Sequence, residues 1–113
     1  MTFLCLAYGD EAGWNSLSDE EKREVLAHDA VVRDRGNLVS AVERTVTVVR
    51  NWDGNRVVTR EPFARKELPL AGFYVVESEN VEEVIELVSN TPCARARGVV
   101  EIRSVRSLRD ESV

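Results

Sequence analysis

Basic residues are too few and too scattered in this 113-residue chain to make a phosphate-binding face. Fifteen lysines and arginines stand against twenty aspartates and glutamates, for a formal net charge of -5. Nucleic-acid binding needs a concentrated positive surface, so neither DNA nor RNA is expected as a partner. The one cluster, Arg95, Arg97, Arg103, Arg106 and Arg109, is interleaved with Glu101, Asp110 and Glu111 and reads as a solvated edge and tail. Cysteine is as scarce: Cys5 and Cys93 form no C-x-x-C pair, and His28 is the single histidine. Two distant thiols and one imidazole fall short of a four-ligand zinc site, so no metal and no other cofactor is expected. Long hydrophobic runs are missing too. The run from Phe3 to Tyr8 is far shorter than the roughly 20 residues a membrane helix needs. Met1-Thr2 supplies no basic segment ahead of it, as a secretory signal would. The expectation is a cytoplasmic protein without membrane association, whose cysteines stay reduced thiols.

What is present is an ordinary globular composition, 43% hydrophobic, in a length that supports one core and not two. Residues 1–106 are read as a single domain and residues 107–113 as a short polar tail expected to fray. The pattern most of the chain is organised around runs from Thr59 through Pro62-Phe63-Ala64 to Leu70-Ala71-Gly72-Phe73-Tyr74-Val75-Val76. Proline stiffens a bent loop there, and glycine releases it into an apolar strand.

Phe3 to Tyr8 is apolar on both alternating faces, the mark of a central strand covered on each side. After a loop through Gly13 and Trp14, Ser18 with Glu21 forms a capping box. The box predicts a helix that runs to about Gly36, the expected left-handed stop. Val25, His28 and Val32 are spaced to share its buried stripe. Asn37 to Glu43 reads as a connection with room for a short strand. Arg44 to Arg50 and Arg56 to Thr59 read as a hairpin turned by Asp53-Gly54. Phe73 to Val76 is a further central strand. Asn80 with Glu83 caps a second helix bearing Val81, Val84, Ile85 and Val88, which stops before Pro92. Gly98 to Val105 is the last strand.

This order predicts an α+β fold of ferredoxin-like βαββαβ type with an added β-hairpin strand, its antiparallel sheet carrying both helices on one face. The other sheet face is then bare. Strands this apolar would expose a larger patch than a monomer tolerates, so a homodimer through the sheet face is expected.

Tyr8-Gly9-Asp10-Glu11-Ala12 with Trp14, Leu17-Ser18 before an acidic helix start, Thr59-x-x-Pro62-Phe63-Ala64, Gly72-Phe73-Tyr74, Pro92 and Val100-Glu101-Ile102-Arg103 together resemble the YCII-related family in its DGPF-domain branch. The resemblance runs to about Arg106. It implies a dimeric α/β-barrel with a cavity between sheet and helices. It also implies that some relatives act as small enzymes on ring compounds through a paired histidine and aspartate. The chain departs from the pattern where the branch has Asp-Gly-Pro-Phe and this sequence has Arg60-Glu61-Pro62-Phe63. Downstream polar positions fall on Arg65, Glu67 and Leu68 in one register, or restore Lys66-Glu67 in the next.

Each candidate residue carries two readings. His28 matches the family's helix histidine and reads either as a general base or as a core-edge side chain held by one hydrogen bond. Asp29 lies about 100° further around the helix, which leaves Asp10 the better-placed catalytic partner. Arg60 and Arg65 suit a forked grip on a small anionic ligand, or pair on the surface with Glu61 and Glu67. Trp14 and Tyr74 either stack on an aromatic ligand or belong to the core. Glu101 is a pocket acid or an exposed partner of Arg103. Pro62 and Phe63 shape the pocket loop. Three functions fit: a small-molecule-binding or accessory domain with altered polar chemistry, a cofactor-free enzyme that eliminates or isomerises a small cyclic substrate, and a structural dimer. The loss of the motif aspartate favours the first, since a histidine base loses orientation without its carboxylate.

Overall fold

The computed structural model describes residues 1–64 and 67–106. Arg65 and Lys66, and with them the register of the polar motif, lie outside the described residues, as does the tail read as frayed at 107–113. The elements are β1 (Thr2–Tyr8), α1 (Glu11–Asn15), α2 (Asp19–Arg35), β2 (Leu38–Ala41), β3 (Val48–Trp52), β4 (Asn55–Thr59), β5 (Leu70–Glu77), α3 (Val81–Val88), α4 (Pro92–Arg95) and β6 (Val99–Ser104).

Four strands form an antiparallel sheet in the order β2-β5-β1-β6, the ferredoxin-like arrangement. Cross-strand partners share a face. Cys5 lies opposite Tyr74 and Ile102, and Phe3 opposite Val76. That face is sealed by Val32 of α2 and by Val84 and Val88 of α3, leaving Phe3 1% exposed. Leu4, Leu6, Phe73 and Val75 alternate onto the opposite face, where they stay half-buried. Both helices thus lie on one side, as the apolar pattern requires.

The helix caps form as read. Ser18 accepts from the Glu21 amide while Glu21 accepts from the Ser18 amide, and Asn80 accepts from the Glu83 amide. Three local readings need correction. Gly36 ends α2 in an extended conformation (φ -77, ψ 146), because its own amide already bonds Val32 O and Asn37 pairs at once with Val75 O to start β2. The fourth sheet strand is therefore β2, the short strand for which the segment from Asn37 to Glu43 left room. The hairpin stands apart as its own two-stranded sheet, and its first strand begins at Val48 rather than Arg44. Asp53 and Gly54, both at positive φ (57 and 77), make the tight turn their sequence announces. The supposed loop through Gly13 and Trp14 is helical, capped by Asp10. α3 stops before Pro92 as read, and Pro92 then opens the short α4, since a proline at the first helical turn loses no hydrogen bond.

A cleft at the end of the first strand

The space beneath α2 and α3 is filled by side chains of the core, so the cavity expected between sheet and helices is not where the open space lies. A cleft of about 940 Å³ opens instead where β1 ends, bounded by α1, the segment 42–48, the Pro62–Ala64 loop and α4. Two backbone features place it. The β1–β5 register slips between Ala7 and Tyr8, a bulge that turns the chain, and the Gly9 amide then bonds Pro69 O at 3.0 Å. Next, Asp10 Oδ1 accepts from the Gly13 amide at 2.8 Å and fixes α1 against the sheet end.

Of the residues singled out from sequence, the cleft gathers Asp10, Trp14, Pro62 and Phe63. Phe63 is 85% exposed at its mouth. Trp14 packs on the small core of Leu17, Val25 and Ala96, with the Lys22 ammonium 5.6 Å from its ring. Asp10 and His28 do not form a pair. The Asp10 carboxylate is committed to capping, and His28 lies half-buried between helices with Nε2 2.5 Å from Leu87 O. A carbonyl can only accept, so Nε2 carries the proton. Leu87 O is among the last carbonyls of α3, which lack helical partners and draw donors. The tie explains why a histidine sits on that stripe.

The remaining candidates are elsewhere. Arg60 donates to Thr47 Oγ1 at 2.5 Å, across the foot of the hairpin. Tyr74 is a core residue of the helix-covered face, and Glu101 pairs with Arg103 at 2.6 Å on the open one.

Asp29, which sequence reading set aside as an orienting partner for His28, is itself half-buried on α2. Its side chain is 16% exposed and bonded to Arg33 at 3.1 Å, yet its charge also reaches Tyr74 and Cys93. Positions 25, 29 and 32 form an i, i+4, i+7 stripe just as 25, 28 and 32 form an i, i+3, i+7 one. The spacing therefore pointed to Asp29 as much as to His28. Burial, then Asp29, pushes the Tyr74 hydroxyl up to about 12, opposed by a hydrogen bond with Thr91. Burial, then Asp29, also raises the Cys93 thiol, which lines the cleft, and burial alone pushes Cys5 up to about 11.

These shifts set a pH dependence. Neutral Cys5 and Tyr74 are favoured by folding, so the folded chain holds protons that the unfolded chain releases at lower pH. Their contribution is full below the ordinary values of 9.0 and 10.0 and disappears as pH climbs through about 11 and 12. Stability in denaturant titrations is expected to fall across that window, and Cys5→Ala is expected to flatten the lower part of the fall. An unchanged slope in Cys5→Ala would contradict the assignment.

A family model described as the YCII-related domain matches residues 1–109. The sequence is similar to an uncharacterized protein of Rhizobium meliloti (strain 1021), 25% identical over 112 residues that cover 91% of this chain and 90% of the other. The fold is similar to that of 5-chloro-2-hydroxyhydroquinone dehydrochlorinase from Burkholderia phenoliruptrix AC1100, solved with 2,5-dihydroxybenzoquinone. The TM-score is 0.56 at 14% identity, over 94% of each chain. Among the described residues, no helix is long and apolar enough to cross a membrane, and no group of acids, cysteines and histidine could hold a metal ion.

Proposed function

Since the chain belongs to the family of YCII-related domains, we propose that it is a small-molecule-binding domain whose site is the cleft at the end of β1. One observation carries this reading. Tyr8, Trp14 and Phe63 converge on a single open space, and Phe63 stands 85% exposed there with little of its ring packed. An aromatic left in water at the mouth of an aromatic-walled cleft is suited to close over a flat apolar ligand.

The polar walls refine the ligand. Arg60 is bonded to Thr47 and Arg65 lies outside the described residues, so neither serves here as an anion clamp. Arg44 is the guanidinium in the described lining, 3.9 Å from Glu11. The expected ligand is a small ring compound whose faces meet the aromatics and whose hydroxyl or carbonyl groups meet Arg44 and Glu11. Quinones and hydroxylated rings are the first class to test, the solved neighbour having been crystallised with one. His28 is not carried forward as a general base, because its ring is tied to Leu87 away from the lining.

The same reading includes a homodimer. Leu4, Leu6, Phe73 and Val75 are the face left open by a one-sided sheet, and a second copy related by a twofold axis would cover each with its equivalent.

Thermal unfolding with a panel of hydroxylated ring compounds, 2,5-dihydroxybenzoquinone among them, tests the site. At least one is expected to raise the melting temperature of the wild type, since a ligand selective for the folded state stabilises it. Phe63→Ala is expected to melt where the wild type does, so little of that ring being buried, and to lose most of the ligand-induced rise. A shift retained in full by Phe63→Ala would place binding elsewhere.

A further inference from the structure

Among the described residues, the hairpin β3–β4 has no partner strand in its own chain. Each of its strands pairs with the other, and neither packs closely against another element. The radius of gyration is 16.1 Å, against about 13 Å for a compact chain of this length. The long dimension of 52 Å fits an arm held away from a thin body. A lone two-stranded hairpin is marginal in water. This one nevertheless carries Val49 and Val58 exposed on one face, with Trp52 71% exposed and Val57 half-buried on the other.

Its charge is opposite to that of the body. The hairpin, residues 48–59, carries Arg50 and Arg56 against Asp53, a formal +1 that leaves -6 for the remainder of a chain totalling -5. The body's exposed acids include Asp19, Glu20, Glu82 and Glu86, placed in the first turns and outer faces of α2 and α3.

From this arrangement we propose that the β3–β4 arm docks on a second copy of this chain, where its arginines meet the acidic body and its valines and Trp52 are buried. The proposal rests on the homodimer put forward above and adds what the sheet face alone does not supply, an attractive charge term between two chains that otherwise repel. A phosphate backbone would meet the arginines but would leave Val49, Val58 and Trp52 in water, and it would face the remaining -6, so a protein surface is the better match. The arm also governs the cleft. The cleft wall includes Val42–Val46 and Val48 on one side of the arm and Pro62–Ala64 on the other. An arm held by a second copy therefore fixes both walls, and the cleft is complete only in the dimer.

Sedimentation of the full chain at low and high salt tests this through the sign of the salt dependence. Attraction between arm and body weakens as salt screens it, whereas two like-charged chains without that attraction associate better in salt. The wild-type dimer is expected to weaken with salt. Arg50→Glu/Arg56→Glu, two exposed changes that leave the core alone, is expected to dimerise about tenfold more weakly at low salt and to show the opposite salt trend. Val49→Ala/Val58→Ala is expected to weaken the dimer at every salt concentration, which reports the apolar contact independently of charge, whereas Trp52 lies under the Arg50 guanidinium, 4.6 Å from its ring centroid. Equal dissociation constants for wild type and the charge-reversed arm would overturn the inference. So would retention of a single-stranded oligonucleotide by the wild type with no effect of the arm variants on dimerisation. Phe73→Glu separates the premise from the inference: a dimer that survives Phe73→Glu sinks the sheet-face reading, while a dimer lost in Phe73→Glu and indifferent to the arm sinks only the arm.

Discussion

Phe73→Glu is expected to give a folded monomer. Phe73 lies on the central strand β5, opposite Leu6 on one side and Ser40 on the other, on the face that α2 and α3 do not cover. In a single chain that position is already partly wet. A glutamate there loses some packing and strand preference, about 1 kcal/mol, and its charge stays hydrated. In a twofold sheet-to-sheet dimer the same substitution puts two carboxylates into one apolar interface. Each costs several kcal/mol when buried without a partner, so the dissociation constant is expected to rise at least about 1,000-fold. Analytical ultracentrifugation with circular dichroism separates the outcomes. A folded dimer would show that this face is not the interface, and an unfolded chain would show that the face is part of the monomer core.

The second large effect is expected at Gly13. Its α1 backbone crosses α4 so closely that a Cβ would stand 2.1 Å from Ala96 O and 3.2 Å from Ala96 C. The obstruction is backbone, so no side chain can swing away. Gly13→Ala must push α4 from α1, and α4 carries Pro92 and Cys93 of the cleft wall. Overpacking of this kind costs about 3 kcal/mol, which in a domain of this size lowers the melting temperature by about 10 °C or more. Cys93 offers a second readout. Its raised pKa and half-buried place make it a slow thiol in the wild type, and alkylation by iodoacetamide is expected to quicken in Gly13→Ala. An unchanged melting temperature would contradict the close approach of α1 and α4.

What could be read from sequence and what could not divide along physical lines. Elements announced by local chemistry appeared in place: the Ser18 capping box, the Asn80 cap, the Asp53-Gly54 turn, and the doubly apolar runs of β1 and β5. So did the bare face, because alternation along a strand fixes both faces at once. The bounds of β2 and its place beside β5 were hidden. Leu38–Ala41 has no turn signal of its own and is a strand because β5 offers it an edge, as Asn37 bonding to Val75 shows. The site was harder for the same reason. Asp10, Trp14, Pro62 and Phe63 come from three separate segments joined only by tertiary packing, and four of the singled-out residues went elsewhere. His28 satisfied a helix end, Tyr74 the core, Arg60 the hairpin foot, and Glu101 its neighbour Arg103. His28 and Glu101 sit as their structural readings describe and Arg60 bonds Thr47, since a polar side chain with a nearby partner takes it before it waits on a ligand. The altered motif at Arg60-Glu61 fits this outcome. The apolar pair Pro62-Phe63 lines the cleft, while Arg60 is turned to Thr47.

The central claim is that a small ring compound binds in the cleft at the end of β1, and amide chemical-shift mapping tests it most directly. Titration of the labelled chain with 2,5-dihydroxybenzoquinone and related hydroxylated rings is predicted to move the amides of Tyr8 to Trp14, Val42 to Val48 and Phe63, and to leave His28 and Leu87 still. Perturbation centred on His28 and Leu87, or none anywhere at saturating concentrations across the series, would contradict the account.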